Sequence, residues 1–185
     1  VGTRIGSLGR PLLVLAATGS PAAAGVASFA FTLPLVLVML PAGAILDRTN
    51  RKWVMLACDV VRGLAAASIV FALGTGRLTF GLILVTSVIG GVAYPFFAVA
   101  ERASIPQLVA RSQLSGAIAQ ISAREYTGLV AAQSLGGVLF GLGRALPFLA
   151  DAISDAVSVA SLLLVRTRFQ EARTAPRRRL LAEVR

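Results

Sequence analysis

The chain has 185 residues, 56% of them hydrophobic and only 14% charged, with a formal net charge of +10 and a mean hydropathy of +0.81. A soluble domain carries about 25% charged residues, so this composition excludes a water-soluble globule and points to a lipid bilayer. With no histidine and a single cysteine, Cys58, the chain has no means to build a typical zinc site, a histidine-based triad or a disulfide framework.

Crossing about 30 Å of hydrocarbon takes about 20 helical residues, and runs of that order bounded by charge, glycine or proline divide the chain into six predicted helices. The first, Val1 to Thr18, is interrupted by Arg4, Arg10 and Pro11. It starts abruptly with no basic leader, and reads as a helix cut part-way, not a signal peptide. Gly19-Ser20-Pro21 forms a turn. The second helix runs from Ala22 to about Leu46 and contains Pro34 and Pro41, each expected to kink it. The third covers about Trp53 to Leu73, with Trp53 at headgroup level and Cys58 as a small buried hydrophobe. After the turn Gly74-Thr75-Gly76-Arg77, the fourth spans about Leu78 to Val99. Its Gly90-Gly91 and Tyr94-Pro95 mark a bend or a place of close packing. A polar loop is expected from Glu101 to Ser115. The fifth helix resumes near Leu114 and ends near Leu142, and the sixth, with Pro147 at its first position, ends near Val165. From Arg166 onward the chain is basic and includes Arg177-Arg178-Arg179.

Between the second and third helices lies Gly43-Ala44-Ile45-Leu46-Asp47-Arg48-Thr49-Asn50-Arg51-Lys52, a pattern of the form G-x-x-x-D-R-x-x-R-K. Gly43 allows close helix approach, and Asp47 is placed to cap the following helix. Asn50 tolerates a left-handed backbone, and Arg48, Arg51 and Lys52 suit an anionic headgroup layer. If this loop is cytoplasmic, the same side also holds Arg102, Arg111 and the tail arginines, leaving only Arg77 and Arg144 outside. By the positive-inside rule that asymmetry sets the orientation and puts the C-terminal segment in the cytoplasm. The basic charge is therefore read as topology and lipid contact, not nucleic-acid binding.

This ten-residue run resembles the signature loop between helices 2 and 3 of the major facilitator superfamily of secondary transporters. Other stretches are similar to its bacterial multidrug and siderophore exporter-like branch. They are Leu12-Leu13-Val14-Leu15 with Thr18-Gly19-Ser20-Pro21, Leu56-Ala57-Cys58-Asp59 with Arg62, Ala100-Glu101-Arg102-Ala103 with Ile105-Pro106, and Phe148-Leu149-Ala150-Asp151-Ala152. The pattern departs in the fifth helix, where Ala132-Gln133 precedes Ser134-Leu135-Gly136-Gly137 in place of the Gly-Pro of proton-coupled members. The arginine-containing helix 4 motif of those members is also absent, since no arginine lies between Arg77 and Arg102. The resemblance implies an all-α polytopic membrane protein: residues 1–165 as a six-helix N-terminal bundle and 166–185 as the start of a basic cytoplasmic central loop. It further implies a bacterial plasma-membrane location, a C-terminal half as partner, a small organic molecule as substrate, and alternating access with no cofactor and no metal. Gly43, Asp47, Arg48, Arg51 and Lys52 are then the conformational-gate motif.

Ionisable groups at bilayer depth need a partner or a purpose. Asp59 and Arg62 share a helical face at i, i+3, either as a local ion pair locking helix 3 to the signature loop or as part of a conformational switch. Arg124 and Glu125 project about 100° apart, so they are expected to face different neighbours, one toward a cavity or gate and one toward headgroups. Asp155, one turn beyond Asp151, lies mid-helix in an element that the resemblance makes peripheral; it is a candidate for proton coupling or a hydrogen-bonded structural acid. Arg124, Glu125 and Asp155 are thus the candidate coupling or substrate residues, with protons as a candidate partner. The reading is a carrier fragment exporting drugs or siderophores. Its rivals are a non-transporting six-helix membrane protein that acts in assembly and, more remotely, a membrane enzyme.

Overall fold

The computed structural model describes residues 2–108 and 113–164. Arg111 and the arginine-rich segment from Arg166 lie outside the described residues. Among the described residues the fold is all-helical, in six elements: α1 (Gly2–Thr18), α2 (Pro21–Leu46), α3 (Arg51–Gly74), α4 (Phe80–Leu108), α5 (Leu114–Leu142) and α6 (Leu146–Leu164). Four of them, α2, α3, α4 as far as Ser104, and α6, are long and apolar enough to cross a membrane. Among the described residues, Gly9–Thr18 in α1 is a shorter apolar stretch, and α5 is diluted by Gln120, Arg124, Glu125 and Gln133.

The turns follow from local chemistry. Gly19, at φ 67°, reverses the chain after α1. Ser20 then caps α2 by accepting the Ala23 N–H at 3.3 Å, with Pro21 leading the helix. After α3, Gly76 takes φ 67°, its N–H bonds Leu73 O at 3.3 Å, and the Arg77 N–H bonds Ala72 O at 2.9 Å. These paired bonds satisfy the last carbonyls of the helix, and the left-handed residue between them favours glycine.

Three expectations are corrected here. Asp47 does not cap α3: it ends α2, its N–H bonding Gly43 O at 3.0 Å, and the N-cap of α3 is Asn50, whose side chain accepts the Lys52 N–H at 3.1 Å. Asn50 sits at φ −75°, ψ 111°, extended as an N-cap should be, not left-handed. Nor is Glu101 to Ser115 a loop throughout, because α4 continues to Leu108. Its added turns find partners: Ala100 is buried with Leu46, Met55 and Leu162, the Ser104 hydroxyl bonds Ala100 O at 2.7 Å, and Arg51 donates to Ala103 O at 2.6 Å. Pro147 falls one residue inside α6, a shift within the usual fraying of helix ends.

α2 packs along α4, α3 lies against both α4 and α6, and α1 fills the space beside α2, α5 and α6. Two apolar clusters hold these contacts. One gathers Leu13, Val14, Ala27, Ile69, Ile83 and Phe148, and the other surrounds Leu46 and Ala100 at the end near the 47–50 loop. Close approach occurs not at Gly43, which has open space around it, but where α2 crosses α4. A Cβ on Gly91 would stand 2.2 Å from Phe31 O and one on Gly90 would meet the Phe31 ring at 3.2 Å. The Gly90-Gly91 pair is thus a packing notch.

Gly91→Ala should force α2 and α4 apart and cost about 1–3 kcal/mol, the usual penalty of overpacking. Gly81→Ala, on the same helix with open space around it, should not. Unfolding of the two variants in detergent micelles measures the difference, and equal stabilities would refute the notch.

Candidate functional site

Among the described residues, the buried faces of α1, α3 and α6 are mostly apolar and share one cluster of charge. Arg10, Asp59, Arg62, Asp151 and Asp155 are all less than a tenth exposed. Their burial follows from helical spacing. On α3 the buried positions are Met55, Cys58, Asp59, Arg62, Ala65, Ala66, Ile69 and Ala72, and on α6 they are Pro147, Phe148, Asp151, Asp155 and Leu162. Each set is a stripe at intervals of three and four residues, so the ionisable groups share the face that packs.

Arg62 is the centre of the cluster. Its Nη2 donates to Asp155 Oδ1 across the α3–α6 contact and lies 3.4 Å from Asp59 Oδ1 on its own helix. The guanidinium also sits over the Phe97 ring of α4, 5.4 Å from its centroid. Asp59 accepts a hydrogen bond from the Ser158 hydroxyl, a second link between α3 and α6. The expectation that this pair locks helix 3 to the signature loop is therefore corrected: its partners are on α6, while Asp47 and Arg48 are exposed. Asp155 is likewise no peripheral acid, because its helix turns that face inward. On α1, Arg10 lies over the Phe31 ring at 5.8 Å and is acted on by the charges of Asp151, Asp155 and Arg62.

At the loop end, two ion pairs cross between α4 and α5. Arg124 meets Glu101 at 2.5 Å, and Arg102 meets Glu125 at 3.0 Å. The expectation that Arg124 and Glu125 face different neighbours, one of them the headgroups, is corrected: both line the same cavity and both pair with α4, because Glu101 and Arg102 are themselves adjacent there. A Glu-Arg step on α4 faces an Arg-Glu step on α5, so each charge meets its opposite. Both arginines are well exposed, which limits each pair to about 0.2–1 kcal/mol.

Between these pairs and the Arg62 cluster lies a cavity of about 390 Å³. It is bounded by the first halves of α3 and α5 and the second halves of α4 and α6, so it lies at the end that carries the 47–50 loop. Asp59, Arg62 and Asp155 form one side, Glu101, Arg124 and Glu125 another, with Tyr94 and Phe97 between. Ser154, Ser158 and Ser161 add hydroxyls from α6. Sequence reasoning missed this serine stripe. The signal was present, since Asp151, Asp155, Ser158 and Leu162 recur at helical spacing on one face. Of the loop motif, Arg51 reaches α4 through Ala103 O, and none of its members lines the cavity.

Removing one partner of a buried pair leaves an uncompensated charge and typically costs 3–5 kcal/mol. Arg62→Met should therefore destabilise the bundle by about that much, whereas Arg124→Met at the exposed pair should cost under about 1 kcal/mol. Comparing the two by unfolding in detergent separates a structural core from a surface contact, and equal losses would contradict the burial argument.

A family model described as transmembrane secretion effector matches residues 1–185. No curated protein matches the chain. The signature loop, the all-helical bundle with apolar membrane-length helices and the family match agree, and the chain belongs to the transmembrane secretion effector family of the major facilitator superfamily.

Proposed function

We propose that residues 1–165 form the N-terminal six-helix transmembrane bundle of a bacterial plasma-membrane secondary carrier. In this reading the carrier exports small organic molecules such as drugs or siderophores, and residues 166–185 begin its basic cytoplasmic central loop. The observation that carries the reading is the family match along the whole of residues 1–185, since members of this family are membrane transporters and not enzymes. The apolar helices make the chain a multi-pass protein in contact with lipid. α1 and α5 become spans in this reading when their apolar stretches are shielded by neighbouring helices, as their packing on one another allows.

The mechanism is alternating access, in which this bundle rocks against a C-terminal partner bundle about a midplane site. A rocking bundle must be stiff within itself. The Arg62 cluster ties α3 to α6 and the crossed ion pairs tie α4 to α5, so the helices move together. The loop from Gly43 to Lys52 then acts as the gate. Arg51 anchors it to α4, while Asp47 and Arg48 are exposed and free to meet a partner bundle in one state and release it in the other.

With the 47–50 loop in the cytoplasm, a cysteine at Asn50 in a Cys58→Ser background should be protected from an impermeant thiol reagent in intact cells. One at Thr75 should be labelled, and the reverse pattern would overturn the orientation.

Flux into inverted vesicles tests the transport reading. The chain alone should insert but show no saturable flux, which should appear on co-expression with the C-terminal half and fall sharply, with insertion retained, for Asp47→Asn. Lack of flux in the reassembled carrier across a panel of lipophilic drugs and siderophores would favour a non-transporting membrane partner, and normal flux by Asp47→Asn would remove the gate.

A further inference from the structure

The cavity between α3, α4, α5 and α6 has polar groups along its wall that the bundle itself leaves unsatisfied. Asp59, Arg62 and Asp155 line it and are 1%, 7% and 2% exposed. Each carries a buried atom with no hydrogen-bond partner among the described residues: Asp59 Oδ1, Arg62 Nε and Asp155 Oδ2. Asp59 Oδ1 stands 3.4 Å from Arg62 Nη2, an ion-pair contact without a hydrogen bond. The other carboxylate oxygens of this wall are engaged, Asp155 Oδ1 by Arg62 and Asp59 Oδ2 by the Ser158 hydroxyl. The carboxylates at the cavity mouth differ, because Glu101 is held by Arg124 and Glu125 by Arg102. Leaving a buried donor or acceptor unpaired is costly, and here two acceptors and one donor share a single wall.

We propose that this cavity is a ligand-binding site contained within the one bundle, and that its ligand is a small amine with a hydroxyl or carbonyl oxygen beside the ammonium group. Two carboxylates that flank one guanidinium need a donor with several N–H groups, and a primary ammonium supplies three. The neighbouring oxygen of the ligand accepts from Arg62 Nε. Bonds to ionised groups are the stronger kind, so this pairing carries both affinity and orientation. Tyr94 adds aromatic surface to the cavity, which suits a ligand with an apolar body. The volume of about 390 Å³ falls within the range of about 300–1,000 Å³ usual for small-molecule pockets. A metal ion matches less well, since no three metal-ligating side chains are gathered among the described residues. The site is distinct from the midplane site of the carrier reading, which needs walls from two bundles, and it does not rest on transport. A free amino alcohol and the ethanolamine headgroup of a lipid share this chemistry, and the cavity lies at the loop end, where either can approach.

The test titrates 2-amino-1-phenylethanol into the purified chain in phosphatidylcholine nanodiscs, with empty discs subtracted. Saturable binding of one molecule per chain is expected. The N,N,N-trimethyl analogue keeps charge, hydroxyl and ring but has no N–H, and 2-phenylethylamine keeps the ammonium but lacks the oxygen. Each should bind about tenfold more weakly or worse. Ser161→Trp, which fills the cavity from an exposed position of α6 and touches no ion pair, should abolish binding with helical content retained. Repeating the titration in discs that contain phosphatidylethanolamine separates the sources. Unchanged affinity assigns the site to a free amine, and binding lost to competition assigns it to the headgroup. Absence of saturable binding in phosphatidylcholine, equal binding of either analogue, or full binding by Ser161→Trp overturns the proposal. Binding with no flux in the reassembled carrier would leave this site standing and sink only the transport reading.

Discussion

A guanidinium buried among apolar helices dictates what must surround it. Arg62 is held by Asp155 from another helix, by Asp59 one turn earlier and by the Phe97 ring. In a medium where a lone charge is costly, these contacts are a condition of the fold and not an ornament on it. The same requirement orients α6, because the face carrying Phe148, Asp151, Asp155 and Leu162 has to turn inward, and it thereby fixes the rotation of α3 against α6. Apolar packing alone fixes that rotation less tightly, since lipid offers a leucine nearly the same environment as a neighbouring helix.

The α2–α4 contact solves a different problem. Here there is no buried ion pair but a steric fit, with Gly91 lying against the backbone of Phe31. Dispersion acts over short distances, so glycine at the crossing allows backbone contact that a larger residue would prevent. Phe31 serves both sites, since its backbone seats Gly91 and its ring lies over Arg10. The steric and electrostatic parts of the bundle therefore meet at one residue of α2.

Much of this was legible in the sequence. The number, order and approximate limits of the helices follow from hydropathy and from turn residues such as Gly19 and Gly76, because a chain in lipid must satisfy its backbone within helices. The Asp59–Arg62 pair follows from i, i+3 spacing. What spacing along one helix does not contain is the identity of the partner across the interface, so Asp155 and Ser158 on α6 were invisible from α3. The continuation of α4 to Leu108 was hidden for a related reason. Its last turns are polar in sequence and become helical through tertiary partners, Arg51 and the α5 charges, that hydropathy does not register. Asp47 was misplaced by a local rule: a carboxylate near a helix start is a plausible cap, but Asn50 stands closer to α3 and its amide oxygen reaches the Lys52 N–H.

The bundle presents its charges at two depths, and the difference sets what each can do. The α4–α5 pairs at the cavity mouth include exposed arginines, where water screens them and makes them cheap to break and remake. The Arg62 cluster is buried beside the cavity, so a change in its charge state is felt strongly by the helices it joins. The outward face of α2 adds the surface on which such a change would be felt. Phe29, Val36, Leu37, Met39 and Leu40 are exposed along it, Leu40 at 89%, and the same helix ends at Asp47 in the signature loop. A shift transmitted from α3 through α4 to α2 would therefore move an apolar face and the signature loop as one rigid element. At the α2–α4 crossing Gly91 lies directly against the Phe31 backbone, which leaves little slack between the two helices.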